Sequence, residues 1–229
     1  MPNDTYINLV NRVLKPFNEV QLTEGNFATV NDGFHQHAKD TINDAIYDIC
    51  IHEDTLWPFL WNVGTLTTAT DGTTEYELDE DAAAVQWNSF KVIRDDLDEI
   101  HATKINEIDY DIYNKVFWAR DRNTESDEYG SPARIARTRD NKVIISPPSD
   151  KEYTIQYDYY SIPDKLVNSS DETVIPKQFS QIIIHRSLQY LHMFRNDLEA
   201  SQLSSMKYET NIANMKRILI RRSNIMIPL

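Results

Sequence analysis

The spacing of apolar residues changes twice along this chain, and that switch constrains the fold more than any motif does. Over residues 4–17, Tyr6, Leu9, Val10, Val13, Leu14 and Phe17 recur at helical spacing, with Asn3 or Asp4 placed to cap. A second helix is expected over about 31–52. Phe34, Ala38, Ile42, Ala45, Ile46 and Ile49 mark one face, and Asp40, Asn43, Asp44 and Asp48 the other. After Val63 the grammar becomes that of strands. Residues 66–70, an Asp71-Gly72 turn and residues 73–78 predict a β-hairpin. More strands are expected at 89–94, 133–138, 142–146 and 153–160, and in the last Tyr153, Ile155, Tyr157 and Tyr159 share a face. Residues 109–118 suit a short helix, and 120–131 an exposed loop.

Pro176 restores helical spacing. Phe179, Ile182, Ile183, Tyr190, Leu191, Phe194 and Leu198 give a wide apolar face, and a last helix over about 200–222 places Tyr208, Ile212, Met215 and Leu219 together. The layout predicts an α+β fold, in which N- and C-terminal segments form a helical domain and a β-rich, sandwich- or barrel-like domain is inserted. The expected divisions are 1–62, 63–175, 176–222 and a tail at 223–229.

Charge narrows the function. The chain of 229 residues has a net charge of −13, which disfavours nonspecific DNA binding, since phosphate neutralisation needs a basic face. From Lys177 onward, however, 8 basic residues oppose 3 acidic ones, so the C-terminal quarter is electrostatically distinct. One cysteine excludes a disulfide framework, and no signal peptide or membrane span is evident. The expectation is a soluble protein kept in a reducing interior.

Catalytic chemistry is thinly represented. His35 and His37 are two apart, and on a helix they point to different sides; His185 and His192 are about 10.5 Å apart along one, too far for a shared metal. Cys50 falls at an apolar helical position and reads as a buried thiol. Asp79-Glu80-Asp81 and the cluster Asp95, Asp96, Asp98 and Glu99 read as solvated loops, with a metal-dependent hydrolase as the minor alternative. Phosphate-cradling and nucleophile-elbow motifs are absent. No enzyme and no cofactor are expected.

Interaction residues are better represented. Arg134, Arg137 and Arg139 form a basic cluster within an acidic block, which suits strand-edge solubility with local ion pairing or, alternatively, a subunit interface. Lys216, Arg217, Arg221 and Arg222, followed by the apolar Ile225, Ile227 and Leu229, suit docking on a partner.

A resemblance extends this reading. Ile108-Asp109-Tyr110-Asp111, Gly130-Ser131-Pro132-Ala133-Arg134, the run from Val143 to Asp150, the tyrosine-rich run from Tyr153 to Tyr160, and Asp171 to Pro176 with Phe179 occur in an order that resembles the head-to-tail adaptors of tailed phages, including the tail tubular protein A group of short-tailed phages. The opening helix and Trp57-Pro58-Phe59 are similar to that family's helical start. The resemblance implies a non-enzymatic virion protein, made in the host cytoplasm, that forms a ring of twelve copies below the portal. Such a ring extends the DNA channel without binding DNA specifically, and involves no membrane. The helical domain and the C-terminal segment would dock on the portal protein, and the β domain would support the tail nozzle and, in some phages, fibres. Another phage neck or tail-completion protein is the alternative.

Overall fold

A computed structural model describes residues 3–30, 32–52, 55–94, 101–122, 129–138, 140 and 142–220. In chain order the elements are α1 (Tyr6–Leu14), α2 (Gly33–Cys50), β1 (Trp61–Thr67), β2 (Glu75–Tyr76), β3 (Ala82–Arg94), β4 (His101–Lys104), β5 (Asn106–Glu107), α3 (Tyr110–Val116), α4 (Trp118–Asp121), β6 (Arg134–Arg137), β7 (Val143–Ser146), β8 (Thr154–Ser161), α5 (Ser180–Phe194) and α6 (Leu198–Leu219). The fold is α+β, with helices and two four-stranded sheets. It divides into two compact units, one of residues 1–60 with 162–229 and the other of 61–161.

In the helical unit, the predicted faces are the buried ones. Leu9, Val10, Val13 and Leu14 of α1 are fully buried, as are Ala38, Ile42, Ala45 and Ile49 of α2. The α1 start lacks a side-chain cap. Instead the Tyr6 N–H donates to the Asp171 carbonyl (2.8 Å) and the Ile7 N–H to the Ser169 carbonyl (3.2 Å), so a distant segment fills the role of the missing cap. Asp32 caps α2 and accepts from the His35 N–H at 3.1 Å. These bonds explain why the second division differs from the expected one. Residues 162–175 belong with the helices, because their backbone is bonded to α1 and α2.

The apolar face predicted through Leu198 stops earlier. α5 ends at Phe194, Asn196 takes a left-handed conformation (φ 58°), and Asp197 starts α6 by accepting from the Ala200 N–H. Phe194 and Leu198 are therefore exposed, whereas Tyr208, Ile212 and Met215 face inward as expected.

In the β unit, one sheet has the order β1-β8-β3-β4 and the other β2-β7-β6-β5. Phe90 and Val92 of β3, Ile135 of β6, Val143 and Ile145 of β7, Tyr153 just before β8, and Ile155, Tyr157 and Tyr159 along it join Ile105 in one buried cluster. Two sheets sharing a core is sandwich packing. Strand β7 is buried on both faces, because Ile144 packs with Ala136 and with Tyr113 of α3 on the outer side.

The predicted hairpin is corrected. Asp71-Gly72 does turn the chain: Gly72 has φ +86° and Asp71 accepts from the Thr73 N–H. The flanking strands, however, enter different sheets, β1 pairing with β8 and β2 with β7. The turn is a corner between sheets. Strand β3 starts earlier than expected, with register shifts against β8, and the short β4 and β5 carry no periodic signal by which to be anticipated.

Candidate interaction surfaces

The predicted basic groups occupy separate places. Arg134 and Arg137 are three apart on one strand, so they project to opposite faces of β6. Arg134 lies over the Phe117 ring (4.5 Å) and Arg137 over the Trp87 ring (5.7 Å). They do not form one patch. Each guanidinium instead covers a different aromatic, Phe117 between α3 and α4 and Trp87 on β3 of the other sheet, a contact worth about 0.5–1 kcal/mol where exposed. Arg139 lies outside the described residues.

Lys216 and Arg217 fall in the last turn of α6, where cations complement the helix dipole. Arg217 is exposed, and so is the neighbouring Ile218. Earlier on the same helix, Leu203 and Met206 are also exposed. Arg221, Arg222, Ile225, Ile227 and Leu229 lie outside the described residues.

Two of the carboxylates considered for catalysis, Asp79 and Asp81, are engaged by core tyrosines. Asp79 accepts from the Tyr157 hydroxyl at 2.8 Å and Asp81 from the Tyr159 hydroxyl at 3.1 Å. Burial first, and then Asp81, pushes the Tyr159 hydroxyl up to about 12; burial and Asp79 push Tyr157 upward as well. These carboxylates satisfy two core tyrosines, a need legible in the alternating tyrosines of β8. Asp95, Asp96, Asp98 and Glu99 lie outside the described residues.

His35 places Nδ1 2.6 Å from Asp32 Oδ1 and Nε2 2.9 Å from the Val20 carbonyl. Two acceptors on one imidazole favour the doubly protonated ring. Burial opposes that charge, but the Val20 carbonyl and Asp32 prevail, and the His35 pKa is raised. His37 and His192 stack near Phe194 and Phe17 respectively. Burial pushes the Cys50 thiol up to about 12, away from reactivity. Among the described residues, no group of three His, Cys, Asp or Glu side chains is placed to hold a metal ion, and no helix is long and apolar enough to cross a membrane.

A polar constellation that the sequence reading missed joins α2, α5 and α6. Arg186 donates to Asp48 Oδ2 through Nε at 2.8 Å, its Nη2 lies 2.8 Å from the same oxygen as an ion pair, and the Tyr190 hydroxyl donates to the same carboxylate. The guanidinium also lies over the rings of Tyr190 and Tyr208 (4.8 and 4.9 Å). This is a bracing cluster, because its donors and acceptors satisfy one another. A hollow of about 370 Å³ in the helical unit is lined by Asn43, Asp44, Ile46, Tyr47, Ile162 and Asp164 among others.

Trp61 and Val63 on the outer strand β1 are exposed (51% and 37%), as are Leu203, Met206 and Ile218 on α6. The sequence signal for β1 is weak: the segment is uncharged and carries Trp61, Val63, Thr65 and Thr67, but Asn62 and Gly64 disfavour a strand. A family model described as SU10 adaptor protein matches residues 4–227, nearly the whole chain. No curated protein matches it.

Proposed function

We propose, for a chain that belongs to the SU10 adaptor protein family, the role of a head-to-tail connector that forms a ring below the portal. The family makes it a bacteriophage adaptor, a structural virion component that works by binding other head or tail proteins. The finer reading adds kinship with the tail tubular proteins, a ring of twelve copies, continuation of the DNA channel, and support for the tail nozzle or fibres. Synthesis in the host cytoplasm and the absence of a catalytic role belong to the same reading.

The match over residues 4–227 is the observation that carries it. The physical character of the surface supports it. A net charge of −13 repeated around a ring would keep DNA from adhering to the channel wall. A basic C-terminal quarter beside an acidic remainder supplies unlike faces, which a ring of heterologous contacts requires. The basic end of α6 and the segment 223–229 dock on the portal protein.

Light scattering with negative-stain imaging, on the protein alone and mixed with its portal, tests this. The expected result is a small species that converts to a ring on the portal. Truncation before Ser223 should abolish that docking and leave thermal unfolding unchanged. A stable small oligomer that ignores the portal overturns the reading.

A further inference from the structure

Strand β1 ends its sheet, and it does so without the protection edge strands normally carry. All seven residues, Trp61 to Thr67, pair with β8 in unbroken antiparallel register. Among the described residues no strand lies beyond them. The sequence Trp-Asn-Val-Gly-Thr-Leu-Thr has no charge and no proline, and the ladder has no bulge. Soluble proteins usually blunt such an edge with charge, proline, a bulge, shortness or a cover, because an open ladder recruits another strand.

The outward backbone can be identified. Thr68 donates its N–H to the Tyr153 carbonyl on the β8 side, while the Val63 N–H is taken only by the neighbouring Asn62 side chain (3.2 Å). Alternation along an antiparallel ladder therefore aims the N–H groups of Trp61, Val63, Thr65 and Thr67 away from the sheet. All four residues are exposed.

The opposite edge of the same sheet is β4. Ile105 donates its N–H to Phe90 on β3, so Ala102 and Lys104 direct theirs outward, and both residues are exposed. The strand directions complete the argument. β1 is antiparallel to β8, β8 to β3, and β3 to β4. β4 therefore runs opposite to β1. A copy rotated about an axis along the strands presents its β1 to this β4 in antiparallel sense, continuing the alternation.

We propose that β1 of one copy pairs with β4 of a second copy, joining the sheets head to tail. The contact is heterologous, so repetition closes into a ring and removes both open edges of this sheet at once. A pairing of two β1 strands would leave both β4 edges open. The uncharged β1 also accepts Lys104 without placing like charges opposite each other. This inference rests on the ring reading above.

Two variants test it in the full chain. Val63→Pro deletes one outward N–H and leaves the β8 ladder intact; Thr65→Lys places a charge on the outward face of the edge. Both should melt like the wild type, remain small by light scattering, and fail to form rings with portal present. In wild-type rings, amide exchange at Val63 and Thr65 should slow about tenfold or more against the free protein. Rings formed equally by Thr65→Lys, or unprotected Val63 and Thr65 amides in wild-type rings, overturn the pairing but spare the ring reading. A two-fold dimer protected at β1 but not at β4 also overturns it. A wild-type protein that never forms rings overturns the ring reading, and this inference with it.

Discussion

The Asn43 side chain holds the backbone of Leu166 with both ends of its amide. Nδ2 donates to the Leu166 carbonyl (3.0 Å) and Oδ1 accepts from the Leu166 N–H (2.9 Å). Asn11 treats Leu22 the same way, at 2.8 and 2.7 Å. In each case a helix fixes an irregular segment by mimicking a strand partner. Such segments cannot satisfy their own backbone groups, so a helix residue does it for them.

Asn43→Ala should therefore cost about 1–3 kcal/mol, because it leaves a buried N–H and carbonyl at Leu166 unpaired. Urea unfolding would show a lower midpoint at unchanged slope. Loosening should be local: amides near Leu166 should exchange faster, while those of the β unit keep their protection.

Gly64→Ala should destabilise by about 1–3 kcal/mol through overpacking. A Cβ there would come within 2.4 Å of the Tyr157 ring and 2.5 Å of the Asp79 carboxylate. The ring has nowhere to retreat, since it stacks on Phe90 at 4.9 Å and its hydroxyl is bonded to Asp79. Thermal unfolding reads the loss. A melting temperature equal to the wild type would show that the ring is freer than its contacts imply.

The His35 site makes stability depend on pH. Its pKa is raised in the folded state, burial opposing and the Val20 carbonyl and Asp32 prevailing. A raised pKa means that the stabilisation is complete below the unfolded value, about 6.5, and is lost as pH rises through the folded value. Urea midpoints across that range should fall with rising pH in the wild type. His35→Gln should flatten the profile in that window, and a profile of unchanged slope would exclude His35 as its source.

Much of the helical unit was legible in the sequence because its signals are local. The faces of α1 and α2 follow from apolar spacing, and the α6 seam of Tyr208, Ile212 and Met215 follows equally. The alternation of Tyr153, Ile155, Tyr157 and Tyr159 gave the inner face of β8 correctly. Pairing was less legible. Asp71-Gly72 announces a reversal of chain direction, but which strand each arm meets is decided by distant partners, β8 and β7. The candidate surface was the least legible part. Arg134 and Arg137 look like one cluster in the sequence, yet strand geometry separates them, and the open edge of β1 has meaning only once its neighbours are known.

Arg186→Lys tests whether the cluster with Asp48 braces the helices. The guanidinium makes one 2.8 Å hydrogen bond and one 2.8 Å ion-pair contact to a single carboxylate oxygen and covers two tyrosine rings. Lysine keeps the charge but not the planar fork or the stacking. The pair is mostly shielded from solvent, with side-chain exposures of 23% and 27%, so losing one charged bond and the stacking should cost about 2 kcal/mol. Because Arg186 lies on α5, Asp48 on α2 and Tyr208 on α6, the loss should appear as faster amide exchange in all three helices together. Faster exchange confined to α5 would mean that the cluster decorates one helix and does not join three.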